Sequence, residues 1–204
     1  MTANAVEPSL PTTRLIFLRH GKADGVEGRC VGHFDAPLSA SGATDIGALE
    51  WSVAGETRII SSDLRRALQS AQIVAQKLGV AVSTDSRLRE MNFGEWDGRL
   101  WSELEAVDLA RLSAWMEHWT DAAPPHGESV GDLVARVKSW LCDTLNEASN
   151  TDRTLIVVAH AGTIRVALCV LNEIPIGEMF DIAVEHATPM SVDFGVGPQG
   201  RPSV

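Results

Sequence analysis

Positive charge is scarce in this 204-residue chain: 17 lysines and arginines stand against 27 acidic residues, for a net charge of −10. That shortage excludes the broad basic face that nucleic acid or an anionic membrane surface would require. It leaves room for a small anion held by a few cations focused in one pocket. Cysteine is also sparse: Cys30, Cys142 and Cys169 are odd in number, widely spaced and free of any CxxC pair. Neither a disulfide framework nor a paired-cysteine zinc site is readable, each thiol reads as a small core residue, and a reducing compartment is expected. Long apolar runs are missing too. The longest are interrupted by His160 and Arg165, too soon to span a bilayer. The opening "MTANAVEPSLPTT" has no basic n-region and no apolar h-region, so it does not read as a signal peptide, and the expected location is the cytoplasm.

What remains is ordinary globular composition, 45% hydrophobic and 22% charged, at a length that suits one domain. Residues 1–13 read as a disordered lead, 14–196 as the domain and 197–204 as a loose tail. Within the domain, strand-like and helix-like segments alternate. Arg14–Leu18 reads as a strand, and Ser39 caps a helix over roughly 40–53. "TRIISS" is a second strand. Behind it Leu64, Ala67, Leu68, Ala71, Val74, Ala75 and Leu78 keep helical spacing, with Ser62 or Asp63 as cap and Gly79 as stop. "VAVSTD" is a short third strand. Helices follow over 99–119 and 128–148, the second with a buried stripe from Val130 to Leu145. "TLIVVAH" has the pattern of a strand covered on both faces. A helix over 163–172, a short one after Pro175 and a strand "MSVDF" complete the order. The expected class is α/β, a three-layer α/β/α arrangement around a mainly parallel central sheet.

Polar residues interrupt this pattern at strand ends. Arg19-His20-Gly21 follows the first strand, Arg65-Arg66 the second, "LREMNFGEW" the third, and His160-Ala161-Gly162 the fourth. In a parallel sheet those ends share one edge, where ligands bind. Cations in the first turn of a helix oppose its macrodipole, so an anion nearby explains them better. Arg66 adjoins the buried stripe at Ala67, whereas Arg65 reads as a surface charge. Each histidine has a glycine within two residues, which lets backbone amides approach a ligand. A metal is the rival use of two histidines. Arg19 would repel a cation and no third ligand has suitable spacing, which speaks against a metal. Guanidinium groups and imidazoles together suit a phosphoryl dianion. A neutral imidazole can attack phosphorus, and a buried carboxyl group of raised pKa can protonate the leaving oxygen. Asp85, Glu90, Glu95 and Asp97 are the candidates. Glu90, between Leu88 and Met91, has the most apolar surroundings, while Glu95 and Asp97 read as surface charges.

The motifs "LRHG", "GHFDAPLSASG", "SSDLRRALQSA", "LREMNFGEWDG", "PPHGES" and "VVAHAG" stand in an order that resembles the histidine phosphatases of the phosphoglycerate-mutase-like superfamily, from about Leu15 to Phe194. The resemblance implies a phosphomonoesterase with His20 as nucleophile, Glu90 as acid/base and no metal or organic cofactor. It places phosphate binding on Arg19, Arg66, His160 and Gly21, and leaves Lys22, Arg29 and Ala161 as candidate substrate contacts. The segment after Gly21 departs from the family pattern: Lys22 to Val26 lack the Thr or Ser and the Asn that contact phosphate, and Ala161 replaces a common glycine. A compact segment between Glu90 and His160 favours a phosphatase over a mutase. "SAWMEHWTDAAPPHGES" most resembles α-ribazole-5′-phosphate phosphatases of cobalamin assembly. Its tryptophans, with Trp101, read either as lid packing or as a stacking surface for an aromatic leaving group. A broad-specificity phosphatase, a mutase-type enzyme and a non-catalytic phosphate-binding module stay open as alternatives. The expected partner is a small phosphomonoester, with no nucleic acid or membrane, and a homo-oligomer is left open.

Overall fold

In the computed structural model, which describes residues 12–147 and 151–195, strands and helices alternate as expected. The order is β1 (Thr12–Arg19), α1 (Ala40–Ala48), β2 (Glu56–Ser61), α2 (Arg65–Leu78), β3 (Val82–Thr84), α3 (Trp101–Val107), α4 (Leu109–Glu117), α5 (Val130–Asn146), β4 (Arg153–Ala159), α6 (Ala161–Leu171) and β5 (Pro189–Gly195), with short 3₁₀ turns at Ser86–Leu88, Gly94–Trp96 and Ile176–Asp181. The sheet order is β3-β2-β4-β1-β5. All pairings are parallel except that of β1 with the edge strand β5. Central β4 is buried at every position, which is why "LIVVA" is continuously apolar.

Side-chain alternation divides the core into two layers. Leu15, Phe17, Leu155 and Val157 pack with Leu133, Val137 and Leu141 of α5 and Ile164 of α6. On the other face, Ile16, Leu18, Ile156 and Val158 meet Ile46 of α1 and Ala67, Ala71 and Val74 of α2. Each large aliphatic buried this way contributes roughly 1.5–3 kcal/mol. The three-layer α/β/α expectation holds. Register then sets up the site: Arg19 lies level with Ala159, and Ser61 with Val158, so the chain leaves three strands at one edge.

Several boundaries differ from expectation. The strand begins at Thr12, where Thr13 pairs with both Arg153 and Phe194, so the last two residues of the expected lead belong to the sheet. Residues 1–11 and the expected tail lie outside the described residues. Helix α1 stops at Ala48, not near 53. Beyond it Leu49, Trp51 and Val53 pack against the α2-side core at a spacing of two, which is an extended pattern. The expected helix over 99–119 breaks at Asp108, whose carboxylate accepts from the indole of fully buried Trp96 (2.8 Å). Neither Ser62 nor Asp63 caps α2. Its N-terminal amide at Arg65 is taken by Asp35, thirty positions away in sequence (2.6 Å), while Asp63 pairs with Arg89.

Candidate active site

His20 leaves β1 at the carboxyl edge and is almost wholly buried. Its Nδ1 lies 2.7 Å from the carbonyl of Gly21. A carbonyl can only accept, so that contact assigns the ring proton to Nδ1 and the lone pair to Nε2. Arg66 donates from Nε to this Nε2 (3.2 Å). Burial first, then the Arg66 charge, holds the His20 imidazole well below its usual 6.5, and therefore neutral. His160 caps α6 at the end of β4, with its ring 5.0 Å from that of His20. Its Nε2 meets Ser62 Oγ at 2.9 Å, its Nδ1 is buried without a partner among the described residues, and burial keeps it neutral as well.

Arg66 sits in the first turn of α2, 1% exposed, as its place beside Ala67 indicates, while Arg65 faces solvent. Two backbone carbonyls, Phe34 and Gly32, accept from Nη1 and Nη2 (2.8 and 2.7 Å). Both Nη atoms keep an N–H for a ligand. Arg19 donates from Nη1 to Val184 O (2.8 Å), and its buried Nε has no partner among the described residues. Glu90 approaches from the loop after β3. Its Oε1 accepts from Met91 N (2.9 Å) and its Oε2 from Gly162 N (3.1 Å), in the first turn of α6.

Two expectations meet different surroundings. Gly21 is packed closely: its amide donates to Ser70 Oγ (3.1 Å), and a Cβ there would stand 2.5 Å from Gly42 O. Asp97 is not a surface charge. Its carboxylate accepts from the amides of Gly32, Phe34 and Phe93 (2.7, 3.2 and 3.0 Å), fixing the loop whose carbonyls hold Arg66. Glu95, by contrast, is exposed. Sequence reasoning also missed His186, whose ring lies 5.2 Å from that of His20 and whose Nδ1 is 2.8 Å from His20 O. It precedes β5. Because β5 runs antiparallel, its beginning meets the edge where the parallel strands end, and a search confined to residues after strands passes it by.

Fully buried His160 packs behind His20. Arg19, His20, Arg66, Glu90 and His186 floor a cavity of about 490 Å³. Lys22, Arg29, Ala161 and Arg165 border it; Lys22 and Arg29 are exposed, and Arg29 is tied to Gly98 O (2.7 Å). The opposite wall is Phe93, Trp101, Trp115, Trp119 and Phe180. The tryptophans both pack and line: Trp115 meets Phe93 and Trp96 edge-on, Trp119 meets Phe180, and both border the cavity. Among the described residues no group of three or more His, Cys, Asp or Glu side chains could hold a metal ion, and no helix is long and apolar enough to cross a membrane.

Neutral imidazoles among buried guanidinium groups, at the carboxyl edge of an α/β sheet, form a site suited to holding a dianion and presenting a lone pair to it. That is the chemistry of a phosphoryl-handling enzyme. The chain belongs to the histidine phosphatase superfamily (branch 1), whose sequence model matches residues 15–198. It is a phosphatase, a hydrolase of phosphoric monoesters. It is 35% identical over 174 residues to glucosyl-3-phosphoglycerate phosphatase of Mycobacterium tuberculosis, covering 80% of this chain and 77% of that one. To the adenosylcobalamin/alpha-ribazole phosphatase of Salmonella typhimurium it is 28% identical over 189 residues, 90% and 92% of the two chains. The crystal structure of the alpha-ribazole phosphatase from Shigella flexneri superposes with a TM-score of 0.76 at 26% identity, over 87% of this chain and 89% of that one.

Proposed function

We propose that the chain hydrolyses phosphomonoesters by two in-line transfers through a phosphohistidine at Nε2 of His20, with α-ribazole 5′-phosphate as the leading substrate. In the first transfer Nε2 attacks phosphorus, the ester P–O bond breaks, and Glu90 gives its proton to the departing alcohol. In the second, Glu90 takes a proton from water, whose oxygen attacks the phosphohistidine and releases phosphate. Arg19, Arg66 and His160 spread the charge of the equatorial oxygens in both steps. The observation that carries this reading is the tautomer of His20: the Gly21 carbonyl holds its proton on Nδ1, leaving Nε2 neutral and unprotonated beside Arg66.

The substrate choice rests on the aromatic wall. Trp101, Trp115 and Trp119 offer faces and edges on which a benzimidazole could stack while the ribosyl phosphate reaches His20. The names of the Salmonella and Shigella relatives agree with it. A second reading, a sugar-linked phosphoglycerate, is favoured by a different observation. Lys22, Arg29 and Arg165 ring the mouth, and an added carboxylate would meet them.

The test is to incubate the protein with an aryl phosphate, quench in base, and look for an acid-labile phosphoryl group on His20. Wild type should carry it and turn over; His20→Ala should do neither, with kcat lower by at least about 10³-fold. Identical behaviour of the two proteins would sink the covalent mechanism. A panel of α-ribazole 5′-phosphate, glucosyl-3-phosphoglycerate, 3-phosphoglycerate and nucleoside monophosphates then ranks the substrates by kcat/KM.

A further inference from the structure

The "PPHGES" segment lies outside the cavity lining, yet its Glu128 is only 14% exposed at the side chain. Its carboxylate takes the Nε–Nη2 edge of a guanidinium: Arg136 of α5 donates from Nε to Oε1 (2.6 Å) and from Nη2 to Oε2 (2.9 Å). A bidentate, half-buried pair of this kind has a fixed orientation, unlike a mobile surface ion pair. What it is fixed against is the loop that carries Glu90. Arg136 Nη1 donates to the carbonyls of Arg87 and Arg89 (2.6 and 2.8 Å), and Nη2 donates to the carbonyl of Glu90 itself (3.0 Å). Glu128 completes the grip. Its Oε2 accepts from Asn92 N (3.1 Å), and its own amide donates to Asn92 O (2.8 Å). Gly127 permits that approach, since a Cβ there would stand 2.6 Å from Asn92 O. From the sheet side, Thr163 Oγ1 donates to Arg89 O (2.6 Å). Residues 87–92 are therefore held on both sides of Glu90 by groups that never border the cavity.

We infer that Arg136 and Glu128 are positioning residues for the proton carrier: they set the backbone of Glu90 so that its carboxylate meets the leaving oxygen. The inference rests on the reading of Glu90 as acid and base. A positioned acid matters in proportion to how badly the leaving group needs a proton, so its misplacement has a chemical signature. Arg136→Met keeps much of the side-chain length and removes every donor. On the best alkyl phosphate of the panel it should lower kcat/KM by about 10²-fold, and on 4-nitrophenyl phosphate by no more than about 5-fold. Inhibition by inorganic phosphate, which reads the Arg19–Arg66–His160 clamp, should stay within about 2-fold, and Arg136→Lys should recover part of the alkyl activity.

The comparison is made beside Glu90→Gln and the double variant. Because Arg136 acts through Glu90, Arg136→Met should leave the alkyl-to-aryl ratio unchanged in the Glu90→Gln background. Equal losses on both substrates, a parallel weakening of phosphate inhibition, or full additivity in the double variant would each overturn the inference and leave a structural role. If Arg136→Met does not fold, Glu128→Gln carries the same comparison, since it weakens the guanidinium contact without opening space. Failure of Glu90→Gln itself to discriminate between the substrates would instead refute the reading of Glu90, a separate outcome.

Discussion

A glycine can be needed by the fold or by the chemistry, and the two cases separate at Gly21 and Gly162. A Cβ on Gly21 would press on the backbone carbonyl of Gly42, which belongs to a helix and cannot yield. A Cβ on Gly162 would stand 2.4 Å from Glu90 Oε1, the far end of a side chain that can swing away. Gly162→Ala is therefore expected to keep its melting temperature within about 2 °C while kcat/KM on an alkyl phosphate falls about 10-fold or more; Gly21→Ala should lose stability. Thermal melts beside alkyl-phosphate kinetics check both, and a Gly162→Ala protein with full activity would argue against Glu90 as proton carrier. Residue-scale legibility was uneven. His20, Arg66 and His160 were readable because each breaks an apolar pattern at a strand end or a helix start. Asp97 was not, because three backbone amides turn it inward, and amides leave no mark in a sequence.

The elements decide what reaches His20. Helices α3 and α4 are short, joined at Asp108, and anchored through Trp96, Leu104 and Leu112 around Cys30. That anchoring holds Trp101 and Trp115 in place, and Trp119 follows just beyond α4, resting on Phe180 at 4.8 Å between ring centroids. Phe180 is largely exposed, and Arg165 stacks over it with its guanidinium carbon 5.4 Å from the ring centre. Trp119 and Phe180 thus form the rim, where an aromatic alcohol would lie. Trp119→Ala should raise KM for α-ribazole 5′-phosphate by about 10-fold, near 1.4 kcal/mol, with inhibition by inorganic phosphate unchanged. An unchanged KM would remove the aromatic wall from the recognition of substrate and favour the cationic mouth. The break at Asp108 was invisible in the periodicity, since apolar spacing continues through it. The buried indole of Trp96 needs an acceptor, and meeting that need ended the helix.

At the scale of the molecule, the site stores neutral histidines in a protein of net charge −10. Burial lowers the pKa of His20 and His160 well below 6.5, and half-buried His33 and His186 shift in the same direction. Below 6.5 the unfolded chain takes up protons that the folded chain refuses, so stability is lost as pH falls. Each fully buried histidine removes up to about 1.4 kcal/mol per pH unit in that range. Calorimetry between about pH 7.5 and pH 5 should show a steadily falling melting temperature, and His160→Gln should flatten the slope. A melting temperature indifferent to pH over that interval would contradict the neutral assignment. The ion-paired carboxylates, such as Asp63 and Asp85, have lowered pKa values and lose their contribution only at more acid pH, outside this window.

The alternation of strands and helices, the buried middle strand and the polar interruptions at four strand ends were determined by the sequence alone. These are local properties, set by side-chain period and by where it breaks. The tertiary structure decided which distant groups complete each of them. Asp35 caps α2 from 30 positions away, Arg136 grips Glu90 across 46, and His186 reaches the carbonyl of His20 across 166. Periodicity cannot report such pairings, because they follow from strand direction and loop path. The proton assignment on His20 itself depends on where the chain carries the carbonyl of Gly21.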